Sequence, residues 1–185
     1  MTVVRNTLVV LATAASFVAL FELNSFLFAA LVFSKGVGWI FLPSGLRLAF
    51  ILVFEEWGAL GIVLASLGIG YEQHFRDDAL NALVAGVISG VSPLLARKFC
   101  ADFLGLNTNL ERLTAASLLK VAVVFAILSP VLHQIWYVAH GQTQDFFRST
   151  AVMAFGDFTG TLVVLYIARL VLQALHKAPR SKASR

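Results

Sequence analysis

The chain has 185 residues, of which 59% are hydrophobic and 13% charged, with a formal net charge of +4. A charged share about half that of soluble domains excludes a water-solvated globule, and the class is a membrane protein. The excess positive charge sits mostly in the C-terminal stretch HKAPRSKASR, which is too short to fold and suits anionic headgroups, so no nucleic-acid partner is needed to explain it.

The apolar residues come in long blocks: Thr7 to Phe33, Val37 to Phe54, Trp57 to Tyr71, Ala79 to Ala96, Leu113 to Ala139 and Ser149 to Leu175. Several reach the ~20 residues needed to cross a ~30 Å hydrocarbon core. The expectation is an all-α integral membrane protein, a bundle of about six transmembrane helices over residues 1–175, followed by a basic tail at 176–185. The first block is too long for the apolar core of a signal peptide and is read as a retained helix. It predicts a helix from about Thr7 to Glu22, then an irregular run through SFLFAALVFSKGVGW. Irregular backbone at membrane depth survives only when protein or a cavity surrounds it, so residues 36–45 read either as re-entrant or as part of a full span.

Pro43 opens the second span, where its missing N–H costs nothing. That span ends at Glu55 and Glu56, and Trp57 with Gly58 predicts a tight turn into a Gly- and Ala-rich third span, the two forming a hairpin. Pro93 stands in the fourth span, and Asn109 before Glu111 is a weak capping signal for the fifth. The fifth span carries Lys120, Pro130 and His133, and the sixth places Asp157 between two glycines. Cys100, the single cysteine, falls just beyond the fourth span in an inner loop, so no internal disulfide or thiolate metal cluster is possible.

Lys and Arg between the spans give the orientation. With six spans, one side receives Arg5, Arg97, Lys98, Arg112, Lys177, Arg180, Lys182 and Arg185, and the other Lys35, Arg76 and Arg148. Both termini are therefore expected in the cytoplasm, in a bacterial inner membrane.

A charge within lipid costs ~2.5 to 3.5 kcal/mol on insertion scales, so each one needs a partner or a task. Arg47 lies eight residues after Trp39, and Asp157 eight after Ser149, so both fall ~12 Å below the outer surface and are expected to pair. Glu22, Asn24, His133 and Gln134 fall in the same outer half. Together with the pair they read either as an outward-facing pocket for a small molecule or as a structural lock with headgroup-level neighbours. On the inner side, Glu55 or Glu56 is expected to pair with Lys120 or Arg169, with snorkelling side chains as the alternative.

Catalysis has little support. AFGDF differs from the Gly-x-Gly-Asp element of intramembrane aspartyl proteases at Ala154, and no second span carries the Asp that such chemistry requires. No Gly-x-Ser-x-Gly elbow and no paired His ligands occur, so no enzyme activity, cofactor or metal is expected.

The run FLPSGLRLAFILVFEEWGALGIVLASL resembles the Pro-x-Gly segment and following hairpin of the first-described membrane-associated sensor domain, the MASE family of bacterial signalling proteins. PLLARKF, the loop after it, the fifth span and MAFGDFTGTLVVL resemble the later helices and the closing Gly-Asp-x-x-Gly element of that family. The resemblance covers nearly the whole chain and implies an inner-membrane sensing or scaffolding bundle whose ligand is undefined. Two departures stand out. Family members usually precede a kinase, cyclase or similar output domain, and Pro43 stands alone where a Trp-Pro-Pro run is common. The expectation is a stand-alone sensory or regulatory subunit acting through a separate protein. The alternatives are a small-molecule-binding subunit of a transporter, for which ATAAS at residues 12 to 16 suits helix docking, and a structural accessory subunit of a membrane complex.

Overall fold

The computed structural model describes residues 2–34, 36–76, 78–106 and 114–177, with backbone alone at 172 and 175–177. The expected capping residue Asn109, the basic residues Lys35 and Arg112, and the tail beyond Lys177 lie outside the described residues.

Five helices are long and apolar enough to cross a membrane. They are α1 (Thr2–Leu27), α2 (Pro43–Ile69), α3 (Ala79–Phe103), α4 (Ala115–Ala139) and α5 (Phe146–Lys177). The second and third expected spans form the two arms of the single element α2, whose helical backbone is interrupted at Glu55. That helix reverses at Glu55, the one non-glycine residue with positive φ among those described (φ 51°, ψ −125°). The turn therefore falls at Glu55 and not at Trp57 and Gly58. Gly58 packs back on Phe50, where an added Cβ would stand 2.7 Å from the Phe50 carbonyl oxygen. A continuous helix would hold those two residues ~12 Å apart at ~1.5 Å per residue. Phe21 on α1 meets both Phe41 before α2 and His74 after it, so the two arms begin and end on one side.

Glycine brings the next layers close. Gly61 on the second arm sits against Val10 and Thr13 of α1, and Gly86 and Gly90 of α3 sit against Val63 and Leu67 of the same arm. Such small-residue contacts replace a hydrophobic driving force that lipid does not supply between helices. A π-helical turn, Gly70–His74, closes the second arm. Asp78 then caps α3 by accepting the Asn81 N–H at 3.0 Å, and Thr114 caps α4 by accepting the Ser117 N–H at 3.1 Å.

The burial pattern is that of a protein solvated by lipid. Leu8, Leu11, Ile127, Ile135, Phe147 and Tyr166 face outward, whereas Ser44, Arg47, Ser92, Ser129, Gln134, Asp157 and Thr161 are buried. Cys100 is buried on α3 and packed with Leu52, Ala96 and Phe125 rather than placed in a loop.

Between α1 and α2 the chain is irregular. A single 3₁₀ turn, Ala29–Leu31, leads into a two-stranded antiparallel ribbon, Val32–Ser34 with Val37–Gly38, which pairs Val32 with Gly38 and Ser34 with Val37. Gly36 makes its turn at φ 69°. This segment is a non-helical ribbon, and helix resumes at Pro43. Its backbone is satisfied by neighbours: the Leu42 N–H donates to Asn24 Oδ1 at 2.9 Å and the Phe41 N–H to the Gly156 carbonyl at 3.2 Å. Gly156 and Gly160 of α5 lack the Cβ atoms that would collide with the carbonyls of Gly38 and Phe41.

Candidate functional site

Arg47 enters the bundle one turn into α2 and is 1% exposed; Asp157 on α5 is fully buried. Arg47 Nη2 donates to both carboxylate oxygens of Asp157, at 3.0 and 3.1 Å. Arg47 Nη1 reaches the Ser129 hydroxyl of α4 at 3.4 Å, and that hydroxyl also lies within reach of the Asp157 carboxylate. The guanidinium is stacked between the rings of Phe41 and Phe125, 5.5 and 5.0 Å from their centroids. Three helices thus converge on one ion pair. Ser44 adds a further tie, donating toward the Asp157 carbonyl at 2.7 Å and standing 3.1 Å from the Thr161 hydroxyl.

The pair does not use all of the arginine. Arg47 Nε is buried and has no hydrogen-bond partner. Arg47 lines a part-open cavity of about 400 Å³ in the half of the bundle that holds the ion pair. His133 and Asn24 line it as well, with Tyr137, His74, Ser66 and Ser89. His133 Nδ1 is 2.8 Å from the Ser129 carbonyl and Nε2 is 3.3 Å from the Ser89 hydroxyl, so the ring is held between its own helix, α4, and α3.

Three expected members of the site stand elsewhere. Asp157 lies behind Arg47, away from the cavity wall. Gln134 points toward Met153, with Nε2 3.8 Å from the sulfur and Oε1 unpaired, because one residue of offset on α4 turns it away from His133. Glu22 is exposed on α1 and accepts from Gln73 Nε2 at 2.7 Å. At the tip of the α2 hairpin Glu55 pairs with Arg97 at 2.6 Å instead of Lys120 or Arg169. The close packing of α3 on the second arm sets Arg97 beside the hairpin tip. Lys120 donates to the Leu104 carbonyl at 3.4 Å, and Glu56 and Arg169 are exposed.

Sequence reasoning passed over Ser44, Ser66, Ser129 and Tyr137, because neutral polar side chains carry no insertion cost large enough to mark them. A hint existed at two of them: Ser44 lies in Pro-Ser-Gly and Ser129 precedes Pro130. Among the described residues no group of three His, Cys, Asp or Glu side chains is placed to hold a metal ion.

Fold and site together define a polytopic α-helical membrane domain with a part-open cavity beside a buried, three-helix ion-pair node. The profile of the MASE1 family matches residues 8–185. The chain belongs to that family of membrane-associated sensor domains. Neither the curated proteins nor the solved structures compared with it include a match.

Proposed function

We propose that this chain senses a small molecule in its outer cavity and passes the change along α5 to a separate output protein, without catalysis of its own. The observation that carries this reading is the double role of the irregular segment between α1 and α2. Its residues Phe28, Val37 and Phe41 wall the cavity, and its backbone rests on Gly156 and Gly160, on either side of Asp157. Occupying the cavity presses on a segment seated at the ion-pair node. A ligand shifts such an equilibrium only through different affinities for its two states, and a wall that doubles as a helix contact supplies that difference.

The outlet is α5. From Phe146 to Lys177 it runs ~48 Å at ~1.5 Å per residue, well over a ~30 Å hydrocarbon core. From Tyr166 onward every side chain described on it is exposed. Its end lies free of the bundle, where another protein would meet it. In the proposed orientation Arg5, Arg97 and Lys98 mark the cytoplasmic side of a bacterial inner membrane and Arg76 and Arg148 the outer side.

A photo-crosslinking residue at Gln173 of the full chain, in native membranes, tests the reading. The expected result is an adduct with one separate signalling protein whose yield changes when Ala85→Phe fills the cavity. Adducts with lipid alone, or a yield indifferent to Ala85→Phe, overturn it.

A further inference from the structure

A second concavity lies at the hairpin-tip end of the bundle, between the start of α1 and the turn of α2. Arg5 stands sixteen residues before Phe21 on α1, so at ~1.5 Å per residue it is ~24 Å from that part of the cavity wall. With Asn6 and Val9 it faces Val53, Phe54, Glu56 and Trp57 across a cleft of about 440 Å³. Glu55 lines the cleft too and is held by Arg97 at 2.6 Å. Charges gathered in this way belong at headgroup level, where they stay hydrated.

Arg5 and Glu56 are both exposed and share this cleft, yet neither pairs with the other or with any other described residue. A cation and an anion that face one cleft unpaired are complementary to a molecule carrying both signs. The wall beside them is apolar and open, with Val53, Phe54 and Trp57 54%, 36% and 45% exposed. An indole at this level is the kind of side chain that lies between headgroups and acyl chains. A charged rim above an apolar wall suits an amphiphile of the bilayer rather than a water-soluble solute.

We infer that the cleft is a site for a zwitterionic phospholipid with a primary ammonium headgroup, of the phosphatidylethanolamine type, its phosphodiester on Arg5 and its ammonium on Glu56. A guanidinium presents parallel N–H donors that match phosphate oxygens. The ammonium donates N–H bonds to the Glu56 carboxylate, whereas a trimethylammonium has no N–H to give. Aromatic cages that hold trimethylammonium groups need several open ring faces, and Phe54 already packs on Phe50 with centroids 5.7 Å apart. An anionic phospholipid brings no cation for Glu56 and sets like charges beside each other. This site goes beyond the sensory reading and uses none of the cavity.

Three dioctanoyl lipids that differ only in headgroup, phosphatidylethanolamine, phosphatidylcholine and phosphatidylglycerol, separate the features. Binding to the purified full chain in detergent, read by native mass spectrometry and by the shift in unfolding temperature, is expected to favour the ethanolamine lipid at least fivefold over each of the others. Glu56→Gln, an exposed change that leaves the Glu55 to Arg97 pair alone, is expected to bring the preference for ethanolamine over choline below twofold. Arg5→Gln is expected to weaken both zwitterionic lipids at least fivefold. Free O-phosphoethanolamine, the headgroup without chains, is expected to bind at least tenfold more weakly than the lipid. Equal binding of the ethanolamine and choline lipids overturns the headgroup assignment, as does tighter binding of the glycerol lipid. A preference that survives Glu56→Gln, or binding indifferent to Arg5→Gln, overturns the location, and a free headgroup that binds as tightly as the lipid overturns the bilayer source. Ala85→Phe is expected to leave the preference unchanged, and its loss there would move the lipid to the cavity. None of these outcomes depends on the crosslink at Gln173, which reports on signalling alone.

Discussion

The Ser44 hydroxyl lies 2.7 Å from the main-chain carbonyl of Asp157, while Arg47, three residues along the same helix, holds the Asp157 carboxylate. Backbone and side chain of one residue on α5 are therefore tied to one turn of α2. A shift of α5 along its axis has to break both ties.

Arg47→Ala or Asp157→Ala leaves an uncompensated charge in the bundle and is expected to lower stability by about 3 to 5 kcal/mol. The double change Arg47→Met with Asp157→Leu is expected to recover most of that loss. Unfolding midpoints in mixed micelles with increasing dodecyl sulfate check both. A double variant as unstable as the singles would mean that the site depends on the charges themselves.

Gly160→Ala places a methyl group against the Phe41 carbonyl and is expected to lower the unfolding midpoint and loosen the irregular segment. Gly68→Ala is the control: nothing lies within 4 Å of its added Cβ, and helix propensity favours the change by about 0.5 to 1 kcal/mol. The two substitutions should therefore move the midpoint in opposite directions.

Glu55 bears a left-handed φ of 51° and is paired to Arg97 from a position 51% exposed. An exposed pair contributes at most about 1 kcal/mol, whereas a non-glycine residue at positive φ costs about 1 to 2 kcal/mol. Glu55→Gly is thus expected to hold or raise stability although it removes the ion pair, and Glu55→Val to lower it. Thermal unfolding of the two variants decides which effect dominates.

Asn24→Leu removes the acceptor for the Leu42 N–H and leaves that amide unpaired at the entry to α2. The expected loss is about 1 to 3 kcal/mol. Faster hydrogen exchange at Leu42, with exchange along α3 unchanged, would show that the loss is local to the cavity wall.

Reporter fusions check the orientation. An enzyme active only in the cytoplasm is expected to work when fused after Lys177 and to fail when inserted at Gly141, the turn between α4 and α5. The reverse pattern would invert the assignment of every loop.

Much of this protein is legible as composition and depth. Long apolar blocks reveal the membrane class because lipid demands them, and Arg47 and Asp157 stand out because a buried charge is rare there and their distances from the outer surface agree. The hairpin within α2 is visible too, although its turn is one of backbone conformation at Glu55 rather than of the neighbouring glycine.

What the tertiary structure alone decided is rotation and contact. Depth along a helix follows from counting residues, but the face on which a side chain lies depends on how neighbouring helices pack, so His133 reached the cavity wall and Gln134, one residue on, did not. In the same way Glu55 found Arg97 rather than Lys120, because the glycines of α3 let that helix close on the second arm of α2. The cavity itself arises from residues far apart in the chain, and no periodicity in the sequence records such a meeting.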